Sequence, residues 1–225
     1  MVDIIHPTAL CKNVTIQLNG LGNMEVLPSQ VNNGSYDNCL IDDLSLSTTI
    51  FYCNDVGVST VTLTATDNSG NQSACTATIT IEDNDQPVIV CPPFNTSIPL
   101  YLDNNCSAGI PDLEPSLVNA TDNCSYVITQ VPAIGTTVSY TGPQFVQMKA
   151  TDPSGNYAVC DIVLDVIDDI LPEALCNDLN VNLDVNGMAS ITKEMVDNGS
   201  SDGCRIQSMS INQANFTCAM LVETP

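Results

Sequence analysis

Polar and apolar residues alternate along several stretches of this chain. Val58-Ser59-Thr60-Val61-Thr62-Leu63-Thr64-Ala65-Thr66 has period two, as do Cys75-Thr76-Ala77-Thr78-Ile79-Thr80-Ile81 and Val159-Cys160-Asp161-Ile162-Val163-Leu164-Asp165-Val166-Ile167. That period is the mark of a strand with one face buried. Between the first two runs lies Asp67-Asn68-Ser69-Gly70-Asn71, which reads as a hairpin turn with the glycine at the positive-φ position. No segment carries a helical period. Short strands with turn signals between them predict an all-β chain built as small Greek-key sandwiches. Trp is absent and aromatics make up 4% of the chain, so the cores must rest on Val, Ile and Leu.

The pattern repeats. Ala-Thr-Asp-x-Ser-Gly-Asn occurs at 65–71 and at 150–156, and a cysteine follows each time, Cys75 and Cys160. An acidic stretch then leads to a proline and a further cysteine: Glu82-Asp83-Asn84-Asp85-Gln86-Pro87 to Cys91, and Asp168-Asp169-Ile170-Leu171-Pro172 to Cys176. Asp3-Ile4-Ile5-His6-Pro7 to Cys11 has the same form. From Pro7 to Pro87 to Pro172 the steps are 80 and 85 residues. Asp37-Asn38-Cys39, Asp122-Asn123-Cys124 and Asp202-Gly203-Cys204 recur inside these steps, and Phe51-Tyr52-Cys53 is echoed by Phe216-Thr217-Cys218. The expected domains are therefore 1–86, 87–171 and a truncated third repeat at 172–225, with both ends expected to be cuts in a longer array.

Charge narrows the function. Twenty-six acidic residues against four basic ones give a net charge of −22, which repels nucleic acid and anionic membrane surfaces and attracts divalent cations. Eleven cysteines accompany a single histidine, His6, and no two cysteines stand in C-x-x-C spacing, so zinc and thioredoxin-like chemistry have no frame. Disulfides in an oxidising compartment are the reading. No apolar run is long enough to span a bilayer, so no membrane insertion is expected. The first residues also lack the form of a signal peptide.

Position in the repeat sorts the cysteines. Cys11–Cys75 and Cys91–Cys160 are expected as constant bridges. The second repeat loses the Phe-x-Cys cysteine and gains Cys106, which suggests that the Asp-x-Cys residue changes partner: Cys39–Cys53, Cys204–Cys218 and Cys106–Cys124. Cys176 is left odd. A bridge closing about 65 residues is worth roughly 4 kcal/mol on the loop-entropy estimate, a decisive amount for an aromatic-poor domain of this size.

The closing Ala-Thr-Asp-x-Ser-Gly-Asn, the cysteine on the next strand and the Pro-x-x-x-Cys that opens the following repeat resemble the hyalin repeat (HYR), an immunoglobulin-like module. The acidic links and additional cysteines resemble the versions found in large cell-surface adhesins of gliding and marine bacteria. The resemblance implies tandem immunoglobulin-like β-sandwiches with disulfides, secreted or attached to the cell surface. It also implies that the modules serve as stalk or adhesion segments. Phe51 and Phe216 stand where many hyalin repeats carry a Phe-x-x-Gly stretch, and the second repeat departs from that.

The site candidates are acids. Glu82, Asp83 and Asp85 before Pro87, and Asp168 and Asp169 before Pro172, crowd the links. The first stretch is similar to the cadherin linker pattern Asp-x-Asn-Asp-x-x-Pro. Asp67 with Asn71, and Asp152 with Asn156, add oxygens on turns. Crowded carboxylates suit calcium, which takes hard oxygen ligands; the competing reading is that Asp and Asn are good turn residues. Asp103, Asn105, Ser107 and Glu114 fall on an EF-hand-like spacing that Gly109 and Cys106 spoil. Catalysis finds no support, because the one histidine lies in a link and no triad can be assembled. Sequons occur at Asn13, Asn33, Asn71, Asn95, Asn105, Asn119, Asn123, Asn198 and Asn215, and they read as incidental to an Asn/Thr-rich chain.

The leading expectation is a structural and adhesive rod, a stalk used in adhesion or gliding, whose partners are neighbouring repeats. The alternatives are a glycan- or surface-binding module, disfavoured by a scarcity of exposed aromatics, and a spacer attached to a secreted hydrolase.

Overall fold

The computed structural model describes residues 3–93 and 96–220. The first repeat holds β1 (Val14–Gln17), β2 (Asn23–Glu25), the one-turn helix α1 (Pro28–Val31), β3 (Ile41–Leu46), β4 (Ile50–Tyr52), β5 (Gly57–Asp67) and β6 (Gln72–Glu82). The second holds β7 (Val88–Val90), β8 (Ser97–Tyr101), β9 (Ala108–Gly109), α2 (Glu114–Leu117), β10 (Asn119–Thr121), β11 (Val127–Val131), β12 (Thr137–Val138), β13 (Gly142–Thr151) and β14 (Tyr157–Ile167). The third holds β15 (Met188–Ser190), α3 (Lys193–Val196) and β16 (Asn215–Thr217). The chain is built of β-strands with short helical turns, as the alternation predicts, and carries disulfides. It forms two compact units: residues 1–93 with 113–131 and 147–162, and residues 94–112 with 132–146 and 163–225.

In the first unit β5 and β6 make a long antiparallel hairpin, β3 pairs antiparallel with β5, and β1 pairs parallel with β6. β2 and β4 form a second, two-stranded layer. Between the layers lie Ile16, Val26, Val31, Phe51, Val61, Leu63, Ile79 and Ile81, all nearly solvent-free. Each such burial contributes on the order of 1.5–3 kcal/mol relative to exposure.

The inward register matters beyond the core. In β5 the inward residues are Val61, Leu63 and Ala65, and the next is Asp67, which is 2% exposed. In β6 they are Ala77, Ile79 and Ile81, and the next is Asp83, 4% exposed. A period of two thus carries an aspartate into the buried column at each end of the hairpin.

The second repeat has the same plan. Its sheet runs β11-β13-β14-β8, with β8 parallel to β14, matching β3-β5-β6-β1. Inward residues Val146, Met148 and Ala150 of β13 end on Asp152, 5% exposed. In the second unit β9 pairs with β12, and β15 pairs with β16, each antiparallel. Leu102, Ile110, Val138, Leu164 and Val166 are buried there. Among the described residues no helix is long and apolar enough to cross a membrane.

The structure joins Cys11 to Cys75 and Cys91 to Cys160, which tie the opening of a repeat to its last long strand. It departs from the other expected pairs. Cys53 is bonded to Cys124 and Cys106 to Cys204, while Cys39, Cys176 and Cys218 are free thiols. Cys39–Cys53 fails on geometry. Cys39 lies two residues before Ile41 of β3, which pairs with Asp67, whereas Cys53 precedes β5 at Gly57. The two cysteines sit at opposite ends of an eleven-residue strand, about 33 Å at 3.3 Å per residue. Cys106–Cys124 and Cys204–Cys218 fall with it, since Cys124 and Cys204 both bond to cysteines of the preceding repeat. The variable bridges therefore run from one repeat to the next.

Candidate cation sites and the bridges beside them

Two clusters of three aspartates recur one repeat apart. Asp3, Asp37 and Asp67 form the first, and Asp83, Asp122 and Asp152 the second; in each, one carboxylate oxygen per residue lies within 4.8 Å of the others. The members correspond motif by motif: an aspartate four residues before the link proline, the aspartate of Asp-x-Cys, and the aspartate of Thr-Asp-x-Ser-Gly-Asn.

Backbone donors hold them. The Asp3 carboxylate accepts from the Ile5 amide at 3.0 Å, and Asp83 accepts from the Asp85 amide at 3.3 Å. The Cys39 amide donates to Asp37 at 2.8 Å and the Cys124 amide to Asp122 at 3.0 Å. Asp67 accepts from the backbone of Ser69 and Asn71 and from the Asn71 side chain, each at 2.8 Å. Asp152 accepts from the Asn156 backbone and side chain, again at 2.8 Å. The same two asparagines reach back to the link, Asn71 to the Asp3 carbonyl at 3.1 Å and Asn156 to the Asp83 carbonyl at 2.9 Å.

Even so, acceptors are left over. Asp3 Oδ2, Asp37 Oδ1, Asp122 Oδ1 and Asn123 Oδ1 are buried with no hydrogen-bond partner. An orphaned buried acceptor is costly, and the one ion pair among the described residues, Lys193–Glu194, lies elsewhere. Burial, with repulsion from Asp83 and Asp152, pushes the Asp122 carboxyl above its ordinary range. The Ile5 amide holds Asp3 below its own. Burial pulls Asp67 up, but the Asn71 donors and the Ser69 and Gly70 amides outweigh it and leave it lowered. An all-oxygen set with surplus negative charge fits a hard divalent cation of the calcium class, and it lacks the nitrogen and sulfur ligands that zinc sites favour. His6 is engaged elsewhere, its Nδ1 lying 2.9 Å from the Gln72 carbonyl oxygen.

Of the acids singled out by sequence, the structure brings Asp67, Asp83 and Asp152 into the clusters. Glu82, Asp85 and Asp169 stay outside them, exposed. Asp168 stands at the place of Asp3 and Asp83, its Oδ1 accepting from the Ile170 amide at 3.2 Å. Asp3, Asp37 and Asp122 escaped the sequence reading, although the recurrence of Asp two residues before a cysteine was the signal for two of them. The EF-hand-like spacing is a turn instead: Asp103 Oδ1 accepts from the amides of Asn105 at 2.9 Å and Ser107 at 3.0 Å.

Two further expectations change. All six tyrosines, Tyr36, Tyr52, Tyr101, Tyr126, Tyr140 and Tyr157, are exposed, so exposed aromatics are not scarce. Tyr52, Tyr101 and Tyr157 take exposed positions on β4, β8 and β14, Tyr52 beside buried Phe51, while Tyr36, Tyr126 and Tyr140 lie outside the strands. Among the sequons, Asn71 and Asn123 spend their side-chain amides on the clusters, while Asn95 lies outside the described residues.

The second cluster leans on a bridge. Asn123 Nδ2 donates to Asp83 at 3.0 Å and to the Asn19 carbonyl at 3.3 Å, and the next residue is Cys124, bonded to Cys53. Gly22 makes room: a Cβ there would collide with the Asn123 carbonyl oxygen and lie 2.6 Å from Cys53 Sγ.

No family model and no curated protein matches this chain. Solved structures do. Extracellular cadherin domains 1–4 of protocadherin gamma B7 align over 83% of this chain and 57% of that one, with 12% identity and a TM-score of 0.32. Sidekick-1 immunoglobulin domains 1–4 align over 73% and 48%, with 12% identity and a TM-score of 0.35. Mouse cadherin-23 domains EC22–24 align over 75% and 69%, with 13% identity and a TM-score of 0.35. The chain spans about half the length of the first two of these structures.

Proposed function

We propose that this chain is a structural, adhesive repeat segment of a long secreted or cell-surface protein, of the hyalin-repeat kind. In this reading it acts as a rod-like stalk whose joints are stiffened by calcium. The observation that carries the reading is the recurrence of one three-aspartate cluster at the start of two successive repeats. In the second, the link aspartate Asp83 is held between Asp122 and Asp152 of the following repeat. A bound calcium ion supplies the positive charge that three adjacent carboxylates call for. The residues of this chain orient the oxygens: Asn71 and Asn156 tie turn to link, and the Asp-x-Cys amides fix the third carboxylate. The disulfides and the acidic surface suit an oxidising, extracellular setting. Small-angle scattering of the 225-residue protein with calcium and with chelator tests this. A longer, stiffer particle with calcium is expected, and an unchanged profile overturns it.

The six exposed tyrosines favour one second reading, a glycan-binding module, since amphipathic rings suit sugar faces. Binding to a glycan panel that survives chelation, with no change in particle length, would select it over the stalk.

A further inference from the structure

The three repeats share one five-residue turn. In Asn19–Asn23, Asp103–Ser107 and Asp184–Met188, the first side chain caps two backbone amides and the fourth amide donates to the first carbonyl, at 2.8, 2.9 and 2.9 Å. The fourth residue is left-handed in each: Gly22 at φ +71°, Cys106 at +55° and Gly187 at +72°. Where that residue is glycine, the cysteine that directly follows the neighbouring strand places its sulfur against it. A Cβ on Gly22 would lie 2.6 Å from Cys53 Sγ, and one on Gly187 2.5 Å from Cys218 Sγ. Where no such cysteine exists, Cys106 takes the left-handed position itself, at the strain cost that a non-glycine residue bears there. Two sequence solutions thus deliver a sulfur to one place on the turn.

What the sulfur meets is equally regular. Cys53 bonds Cys124 and Cys106 bonds Cys204, each an Asp-x-Cys cysteine of the following repeat. These acceptor loops are alike: the amides of Cys39, Cys124 and Cys204 donate to the aspartate two residues earlier, at 2.8, 3.0 and 2.8 Å. Close backbone approach accompanies each bond. Gly22 lies against the Asn123 carbonyl, and a Cβ on Gly203 would stand 2.7 Å from the Asn104 carbonyl oxygen. Cys218 presents the turn half of this arrangement and Cys39 the loop half, and both are exposed free thiols.

We infer that Cys218 and Cys39 are the two halves of this inter-repeat bridge, and that the partner at each is another module of the same kind. Cys218 takes the Asp-x-Cys cysteine of a following module, and Cys39 takes the turn cysteine of a preceding one. The bonds then form a relay in which every module is fastened to the next by a link outside the main chain. The inference rests on the tandem-repeat reading but not on calcium. Formation requires a disulfide oxidant such as oxidised glutathione. One thiolate attacks it and releases a glutathione thiol, and the second thiolate attacks the mixed disulfide and releases another. Two protein thiols are oxidised and one small disulfide is reduced.

The 225-residue protein carries both halves, so it should link head to tail. Incubation with oxidised glutathione is expected to give a ladder of covalent oligomers on non-reducing gels, and peptide mapping should show Cys39 of one molecule joined to Cys218 of another. C39S and C218S should each abolish the ladder, whereas C176S should leave it intact. Links dominated by Cys39–Cys39, Cys218–Cys218 or Cys176 would overturn the inference. So would links confined within single molecules, or the absence of any ladder. Failure of calcium to change the scattering profile leaves this result untouched.

Discussion

Asn123 donates its side-chain amide to Asp83 at 3.0 Å while its carbonyl oxygen lies 3.6 Å from Cys53 Sγ. One residue therefore touches both the acidic cluster and the bridge. It also donates to the Asn19 carbonyl on the shared turn, so the cluster, the turn and the disulfide are mechanically continuous. Replacing it isolates that coupling. Asn123→Ala removes two donated hydrogen bonds and should lower stability by about 1–3 kcal/mol, with weaker calcium binding at the second cluster and no change at the first. Calorimetric titration resolving two sites checks it, and equal weakening of both sites would contradict the placement.

Gly22 separates packing from conformation. Gly22→Ala must hold a side chain at φ +71° and drive it into the Asn123 carbonyl oxygen and Cys53 Sγ. Left-handed strain alone costs about 1–3 kcal/mol, and the collision adds to it. Gly20→Ala, two residues away, meets nothing within 4 Å and is not left-handed. Thermal melts of the two variants should differ clearly, with Gly22→Ala the lower and slower to form the Cys53–Cys124 bond.

Much of this architecture is written in local sequence. The alternation in 58–66 and 75–81 specifies β5 and β6 with their faces, and the repeated turn specifies their hairpin. The bridges Cys11–Cys75 and Cys91–Cys160 follow because opening and closing strands are neighbours within one repeat. The other bridges were beyond the reach of the same logic. Balancing one repeat's cysteines against themselves assumes that each closes on itself, and Cys53 lies a full strand length from Cys39. The site was half legible for a related reason. Counting acids in the links finds Asp83 but also Glu82 and Asp85, which face out. Following the inward register past Ala65, Ile81 and Ala150 selects Asp67, Asp83 and Asp152, the three that burial makes costly. The third member of each cluster comes from a loop distant in sequence, which only the fold brings near.

Acid should loosen the turns. Asp103 and Asp184 are each held below the usual aspartate range, chiefly by the Asn105 and Met188 backbone amides respectively. A carboxylate with a lowered folded pKa contributes stability above its unfolded value, about 3.9, and loses it as pH falls through the folded value. Asp103→Asn should therefore be less stable than the parent at pH 7 and converge with it as pH falls below about 4. Urea midpoints across that range check the convergence; a constant gap would mean that the carboxylate charge is not what the turn uses.

Asp122 has the opposite sign and gives the sharpest test of the cation sites. Its carboxyl is pushed up by burial and by Asp83 and Asp152, so its ionised form costs stability above the unfolded pKa, and the cost fades as pH falls through the raised value. Asp122→Asn keeps an oxygen for the Cys124 amide and removes the repelled charge. In chelator at pH 7 the variant should melt higher than the parent. Calcium should reverse the order, because ligand binding to the folded state stabilises by RT ln(1 + [L]/Kd) and the variant has lost a charged ligand. Asp85→Asn, outside the cluster, should follow the parent in both conditions. Melting curves of the three proteins in calcium and in chelator contain the whole prediction. A variant that lies below the parent already in chelator would show that the Asp122 charge stabilises the folded protein without an ion, and would contradict the placement.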